Sequence, residues 1–281
     1  MTSQAQIISL RRQAADLRSR IVRMMGVGKA HHFGGSLSAA DIVTALYFYK
    51  MRYDPANPEW PDRDRFIMSK GHSVPAQYAA LAKLGVFPLA ELHTLKSLGS
   101  RLQGHPAMRY TPGIEGCTGA LGEGLSFANG MALAARLQEK TYRVYCLMGD
   151  GELHEGQVWE AAMTSAKHCL DNLVAIIDRN RLKAMDATEC GKVLDPLAAR
   201  WTSFGWAVKE VDGHDMAALC DALDWTDGQV NQPSMIIANT VKGKGVSFMA
   251  GQAAFHNASI TEEQYRQAVA ELDLALQEQT Q

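Results

Sequence analysis

A doubly wound α/β fold, a parallel sheet with helices on both faces, is what this sequence predicts, and three observations predict it. Short apolar runs recur along the chain, a helical pattern separates each from the next, and most runs are continuous rather than alternating. Continuous apolar strands are buried on both faces, and strand-helix-strand order is how parallel strands are connected. No internal repeat or low-complexity linker interrupts the series, so residues 1–281 are expected to form one domain with an N-terminal and a C-terminal helix packed on it.

Each element follows from its pattern. Ile7, Leu10, Ala14, Leu17, Ile21 and Met24 recur at steps of three and four, one apolar stripe on a long first helix that is expected to cover the core rather than a partner. The glycine-containing polar stretch from Gly26 to Ser38 reads as a loop and a candidate site. A second helical pattern runs from Ala40 to Lys50, with Ser38 as its N-cap and Asp41 in its first turn. Strands are expected at Phe66 to Met68, Val144 to Met148, Leu173 to Ile177, Ala207 to Val211 and Met235 to Ala238. Between them, Pro75 to Leu84, Gly124 to Leu137, Glu155 to Cys169 and Met216 to Leu223 read as helices. Tyr265, Val269, Leu272 and Leu276 mark a last helix, fraying from about Gln277.

Bulk properties exclude several classes of function. With 47% hydrophobic and 21% charged residues the chain has ordinary globular composition, so it is expected to fold around a core. The formal net charge of -2 and the lack of a long basic run argue against nucleic acid as a partner. Cys117, Cys146, Cys169, Cys190 and Cys220 are odd in number and form no C-x-x-C pair, against a disulfide framework or a structural zinc, so a reducing cytoplasm is expected. Arg11, Arg12, Arg18, Arg20 and Arg23 break up the N-terminal apolar pattern, which predicts neither an export signal nor a membrane span.

The most informative segment is Gly149-Asp150-Gly151, set between an apolar strand and a helix. In open α/β sheets ligands bind beyond the carboxyl ends of the strands, where glycines admit phosphate and helix N-termini favour negative charge. The next strand leads to Asp178-Arg179-Asn180-Arg181-Leu182, which places Asn180 at the same edge as Asp150. The Asp150 carboxylate, the Asn180 amide oxygen and a backbone carbonyl near Leu182, with diphosphate oxygens and water, would give the hard oxygen shell that suits Mg²⁺, with Ca²⁺ or Mn²⁺ as alternatives. A lone Gly-Asp-Gly reads more readily as a structural turn. Four histidines also lie in polar or glycine-rich loops: His32 in His31-His32-Phe33-Gly34-Gly35-Ser36, His72 after Lys70-Gly71, His105 before Pro106, and His256 after Phe255. Each alone reads as a solvated residue.

Taken together, these motifs resemble the N-terminal, cofactor-binding part of transketolases over essentially the whole chain. The matching series also includes Thr118-Gly119-Ala120-Leu121-Gly122-Glu123-Gly124, Glu152-Leu153-His154-Glu155-Gly156 and Val241-Lys242-Gly243-Lys244-Gly245-Val246. The resemblance implies a thiamine-diphosphate-binding fold and catalytic roles for His32, His72, His105, His256 and Glu155. The four rings would surround the thiazolium and the sugar, and Glu155 would stand at a subunit interface beside them. It implies that His72, His256, Gly149, Asp150, Gly151, Glu152 and Asn180 hold the cofactor, with backbone groups of Gly119 and Leu121 against its aminopyrimidine and Asp150, Asn180 and Leu182 on the metal. Imidazole has a suitable pKa for moving protons to and from sugar hydroxyls near neutrality. Two departures stand out: Arg179 replaces the family's Asn or Asp, and Phe33 replaces a proline, while His31 is expected at the surface.

In the family, a glutamate that hydrogen-bonds the aminopyrimidine lies on a second, pyrimidine-binding domain. The resemblance therefore implies that the partner is a C-terminal transketolase subunit. It also implies self-association of this chain into a heterotetramer, and two-carbon ketol transfer from a ketose phosphate to an aldose phosphate. The competing expectations are the α subunit of a thiamine-dependent 2-oxo acid dehydrogenase, deoxyxylulose phosphate synthase, and a non-catalytic scaffold or regulatory subunit of the same fold.

Overall fold

A computed structural model describes residues 2–184, 186–189 and 193–279; Cys190 and the chain beyond 279 lie outside the described residues. Five strands, β1 (Arg65–Met68), β2 (Val144–Gly149), β3 (Leu173–Arg179), β4 (Ala207–Asp212) and β5 (Ser234–Asn239), form one sheet in the order β1-β2-β3-β5-β4. Every pairing is parallel, with Val144 opposite Leu173 and Val174 opposite Ser234. All strands therefore end at one edge, as the sequence predicts.

The continuous apolar runs are explained by two cores. Successive side chains of a strand point to opposite faces. Tyr145, Leu147, Val174, Ile176 and Ile236 enter one core, and Val144, Cys146, Met148, Ala175 and Ile237 the other. The first core is covered by α1 (Gln4–Met25), α3 (Ala40–Ala45), α4 (Val74–Leu84), α8 (Met216–Trp225) and α9 (Glu262–Glu278). The second is covered by α5 (Gly124–Leu137), α6 (Gly156–Lys167) and α7 (Leu197–Ser203). Only the edge strand β4 is half-exposed along its length.

The terminal helices are joined to one another and to the first core. The α1 stripe, Ile7 through Met24, is buried, and Arg23 ion-pairs with Asp273 of α9 at 2.6 Å. Ser3 and Thr261 each start their helix with a reciprocal capping box, to Gln6 and Gln264. Helix α9 continues through Gln277 to Glu278, one residue past the expected onset of fraying.

Three expectations need correction. The stretch from Gly26 to Ser38 is not all loop, because Phe33–Ser38 form a buried helix, α2. Ser38 is its last residue and not the N-cap of the next helix; Ala39 holds that position, and the Ser38 hydroxyl donates to Asp178 and to the Gly35 carbonyl. His31 is buried, at 1% exposure, because its backbone pairs both ways with Ala258 and draws it inward. Helix α7, which buries Leu197 and Trp201 behind Pro196, has no counterpart among the sequence expectations. Among the described residues, no helix is long and apolar enough to cross a membrane.

Candidate active site

The carboxyl ends of β1, β2, β3 and β5 deliver Lys70-Gly71-His72, Asp150, Asn180 and Thr240-Val241-Lys242 to one sheet edge, where α2 adds Gly35. Of these, Gly35, Lys70, His72, Asp150, Asn180 and Lys242 line a cavity of about 220 Å³, which Leu121, Gly149, Gly151, Glu152, Leu182 and His256 also border. This is the crevice outside the strand ends in which open α/β sheets bind ligands.

A carboxylate that sequence reasoning passes over joins these strand ends. Asp178, fully buried, accepts hydrogen bonds from Ser38 Oγ, Lys70 Nζ and Thr240 Oγ1, and from Asn180 Nδ2 at 3.4 Å. Burial alone would raise its pKa, but the Lys70 ammonium and these donors hold it below the ordinary carboxylate value. Lys70 also donates to the Gly35 carbonyl at 2.9 Å. One anion thus fixes the ends of α2, β1, β3 and β5 relative to each other. Its signal in the sequence is an aspartate closing a fully apolar run.

Asp150 faces the cavity under different constraints. Its Oδ1 accepts from the Gly151 N–H at 2.8 Å and its Oδ2 from the Arg181 N–H at 2.5 Å. Burial, then the neighbouring charge of Asp178, push its carboxyl up to about 6. Asn180 Oδ1 accepts from the Leu182 N–H at 3.2 Å, and the Leu182 carbonyl accepts from Lys242 Nζ at 3.0 Å. Burial, then the charge of Lys70, lower the Lys242 ammonium to about 8. Carboxylate, amide and carbonyl oxygens therefore meet at one place, with an ammonium already bound to one of them. A hard divalent cation takes such oxygens. Among the described residues no group of three or more His, Cys, Asp or Glu side chains is arranged to hold a metal, so exogenous oxygens must complete any shell here.

Glu152 is engaged inside the protein. One carboxylate oxygen accepts from Ser69 Oγ and from the Gly122 N–H at 2.9 Å, and the other from the Gly149 N–H at 3.0 Å. It ties the end of β1 and the 118–124 segment to the Gly149-Asp150-Gly151 turn. Glu155 is exposed beside Gly122, whose φ of +91° and lack of a side chain permit that approach.

The histidines gather at the mouth. His32 lies 4.9 Å from His72, 5.4 Å from His256 and 6.2 Å from His105 between ring centroids, and His72 lies 5.0 Å from His256. His256 Nδ1 is 3.0 Å from Lys242 Nζ. Burial first, then neighbouring positive charge, lower every ring: His32 and His256 to about 4, His72 well below its ordinary value, and His105 in the same direction. They are neutral near pH 7. Gly119, at φ +146°, makes room for this group, since a Cβ there would stand 2.8 Å from His105 Cδ2.

A pH dependence follows. In the unfolded chain His256 titrates near 6.5 and in the fold near 4, so between those values the unfolded state binds the extra proton and stability falls as the pH is lowered. His256→Gln is expected to lessen the loss of stability between pH 7 and pH 5, read from urea midpoints. An unchanged loss would remove this ring from the proton balance.

The two departures now have structural readings. Arg179 is buried and its guanidinium pairs with Asp195 and, at 3.4 Å, with Glu210 of β4, away from Asn180, which borders the cavity. Phe33 begins α2 and is fully buried in the first core.

Comparison with known proteins shows the family of the chain. The family model described as transketolase, thiamine diphosphate binding domain matches residues 11–279. The 6-deoxy-6-sulfo-D-fructose transketolase subunit SqwG of Clostridium sp. (strain MSTE9) is 45% identical over 268 residues, covering 95% of this chain and 98% of that protein. An apulose-4-phosphate transketolase subunit of Phocaeicola vulgatus is 46% identical over 267 residues, covering 95% of each. The crystal structure of transketolase from Campylobacter jejuni superposes with a TM-score of 0.88 at 31% identity, over 97% of this chain and 43% of that one. The chain thus spans less than half the length of that transketolase chain.

Proposed function

Because this chain belongs to the transketolase family, matching its thiamine-diphosphate-binding domain, we propose that it is the N-terminal subunit of a heteromeric transketolase, active with a C-terminal subunit that carries the pyrimidine-binding domain. The observation that carries the reading is the convergence of Asp150, Asn180 and the Leu182 carbonyl with His32, His72 and His256 at one sheet edge. The reaction is transfer of a two-carbon ketol unit from a ketose phosphate to an aldose phosphate. Relatives matched over nearly their full length are named as transketolase subunits, which supports the split assembly.

The donor set fits the cofactor and its metal. Asp150, Asn180 and the Leu182 carbonyl would hold Mg²⁺, with Ca²⁺ or Mn²⁺ as substitutes, and the Gly151 N–H, His72 and His256 would hold the diphosphate. When bound, thiamine diphosphate supplies the carbanion-stabilising chemistry of ketol transfer. The residues of this chain position and exchange protons. Neutral rings of His32 and His105 accept protons from sugar hydroxyl oxygens at one nitrogen while donating at the other. Glu152 holds the Gly122 and Gly149 segments in place around the cofactor. Exposed Leu121 and Glu155 lie where a partner would cover them, and two copies of each subunit make a closed assembly. Both cores share one sheet, which supports one domain for the chain, and free Cys146 and Cys220 suit the cytoplasm.

Gly119→Ala should displace His105 and lower turnover about a hundredfold, and the strain of a side chain at φ +146° should lower the unfolding midpoint as well. Steady-state rates beside thermal melts check it; unchanged turnover would separate His105 from the chemistry. The ion pairs of Arg179 account for it without a scaffold role. The proposal itself is tested by gentle purification from the native source and assay with thiamine diphosphate and Mg²⁺. Two-carbon transfer by a preparation containing a second chain is expected. Decarboxylation of a 2-oxo acid would point to the dehydrogenase class, and an inactive, partnerless chain to a scaffold.

A further inference from the structure

On the side of α1 and α3, bordering a second cavity of about 510 Å³, runs a largely buried polar chain that the cofactor motifs do not include. Arg18 of α1 donates through Nη1 to Asp41 Oδ1 at 3.2 Å and through Nη2 to Asp41 Oδ2. His214 Nδ1 stands 2.7 Å from the same Oδ2, and His214 Nε2 accepts from the Val241 backbone N–H at 2.8 Å. A ring that accepts at Nε2 carries its proton on Nδ1, so both contacts are satisfied by one tautomer only. Arg18, Asp41 and His214 are all nearly enclosed, with side chains 8–11% exposed at Asp41 and His214.

The acceptor matters because of where Val241 lies. It stands between Thr240, whose hydroxyl donates to Asp178, and Lys242, whose ammonium donates to the Leu182 carbonyl and approaches His256. Past the end of β5 no strand ladder holds the Val241 amide, and His214 takes that place. We infer that His214, oriented by Asp41 and Arg18, is a positioning residue that sets the Val241–Lys242 backbone and thereby the placement of Lys242 at the cofactor site. The second half of that statement rests on the proposed function.

Two substitutions separate the two hydrogen bonds. His214→Asn keeps an amide donor near the Nδ1 position but has nothing to reach Val241; His214→Gln places an oxygen near the Nε2 position. Amide hydrogen exchange of the peptide spanning 240–246, and thiamine diphosphate titration in Mg²⁺, are read on the full chain for wild type and both variants. His214→Asn is expected to speed exchange at Val241 and to weaken cofactor binding, each about tenfold, and His214→Gln to restore both to near wild type. Unaltered exchange in His214→Asn overturns the inference. So does equal loss in both variants together with equal falls in unfolding midpoint, which would make His214 a packing residue only. Should wild type take up no thiamine diphosphate, the cofactor reading falls, and the exchange comparison still decides whether His214 holds this backbone.

Discussion

Asp150→Ala should abolish turnover of the assembled enzyme and weaken Mg²⁺-dependent binding of thiamine diphosphate by more than about a hundredfold. Loss of a residue that merely supports a metal ligand already costs about 10- to 100-fold, and Asp150 is the only carboxylate proposed on the cation. Stability should not follow activity. Burial and the neighbouring Asp178 already push the Asp150 carboxyl up to about 6, so removing it relieves repulsion even as the Gly151 and Arg181 N–H groups lose an acceptor. Asp150→Asn keeps an oxygen for one of those donors and should be as inactive as the alanine variant. Calorimetric titration of cofactor with Mg²⁺ checks the loss, and undiminished binding would remove Asp150 from the metal.

Asp178→Ala is expected to act on the fold itself. Lys70 is 2% exposed and Asp178 fully buried, so the substitution leaves an ammonium without its counter-ion inside the protein. Breaking one half of a buried pair costs about 3–5 kcal/mol, and the hydroxyls of Ser38 and Thr240 lose their acceptor as well. The double variant Asp178→Ala, Lys70→Met should recover part of that loss, because no charge is then stranded. Urea unfolding of the three proteins measures it. A cost below about 1 kcal/mol for the single change, the range of an exposed ion pair, would show that Asp178 does not hold these strand ends together.

Much of the fold was legible because strands buried on both faces need unbroken apolar runs, and Val144 to Met148 and Leu173 to Ile177 are such runs. Helix α2 was not, for a physical reason. Gly34 and Gly35 oppose helix formation intrinsically, yet added Cβ atoms would stand 2.7 Å from Lys242 Cγ and from Ser73 Oγ, so tertiary packing selects glycine there. Ser38, a good N-cap by residue type, is instead claimed by Asp178 from a strand 140 residues away. The burial of His31 likewise depends on pairing with distant Ala258.

At the site, the glycine-aspartate-glycine turn, Asn180 and the four loop histidines were readable because each sits at a strand end or in a glycine-rich loop. The arrangement behind them was not. Asp178, Lys70 and Lys242 form their contacts across three separate strand ends, those of β1, β3 and β5, and only the sheet order brings these together. Glu152 was legible as part of a motif, but its engagement with Ser69, Gly122 and Gly149 makes it a brace around the cavity.

On the proposed function, this chain grips thiamine diphosphate through a divalent cation held by Asp150, Asn180 and the Leu182 carbonyl. Titration of thiamine diphosphate into the wild-type chain, once with Mg²⁺ and once with excess chelator, tests it most directly. Saturable binding with Mg²⁺ that weakens by more than about a hundredfold in chelator is the predicted result. Equal affinity under both conditions would show that no cation bridges this chain to the cofactor.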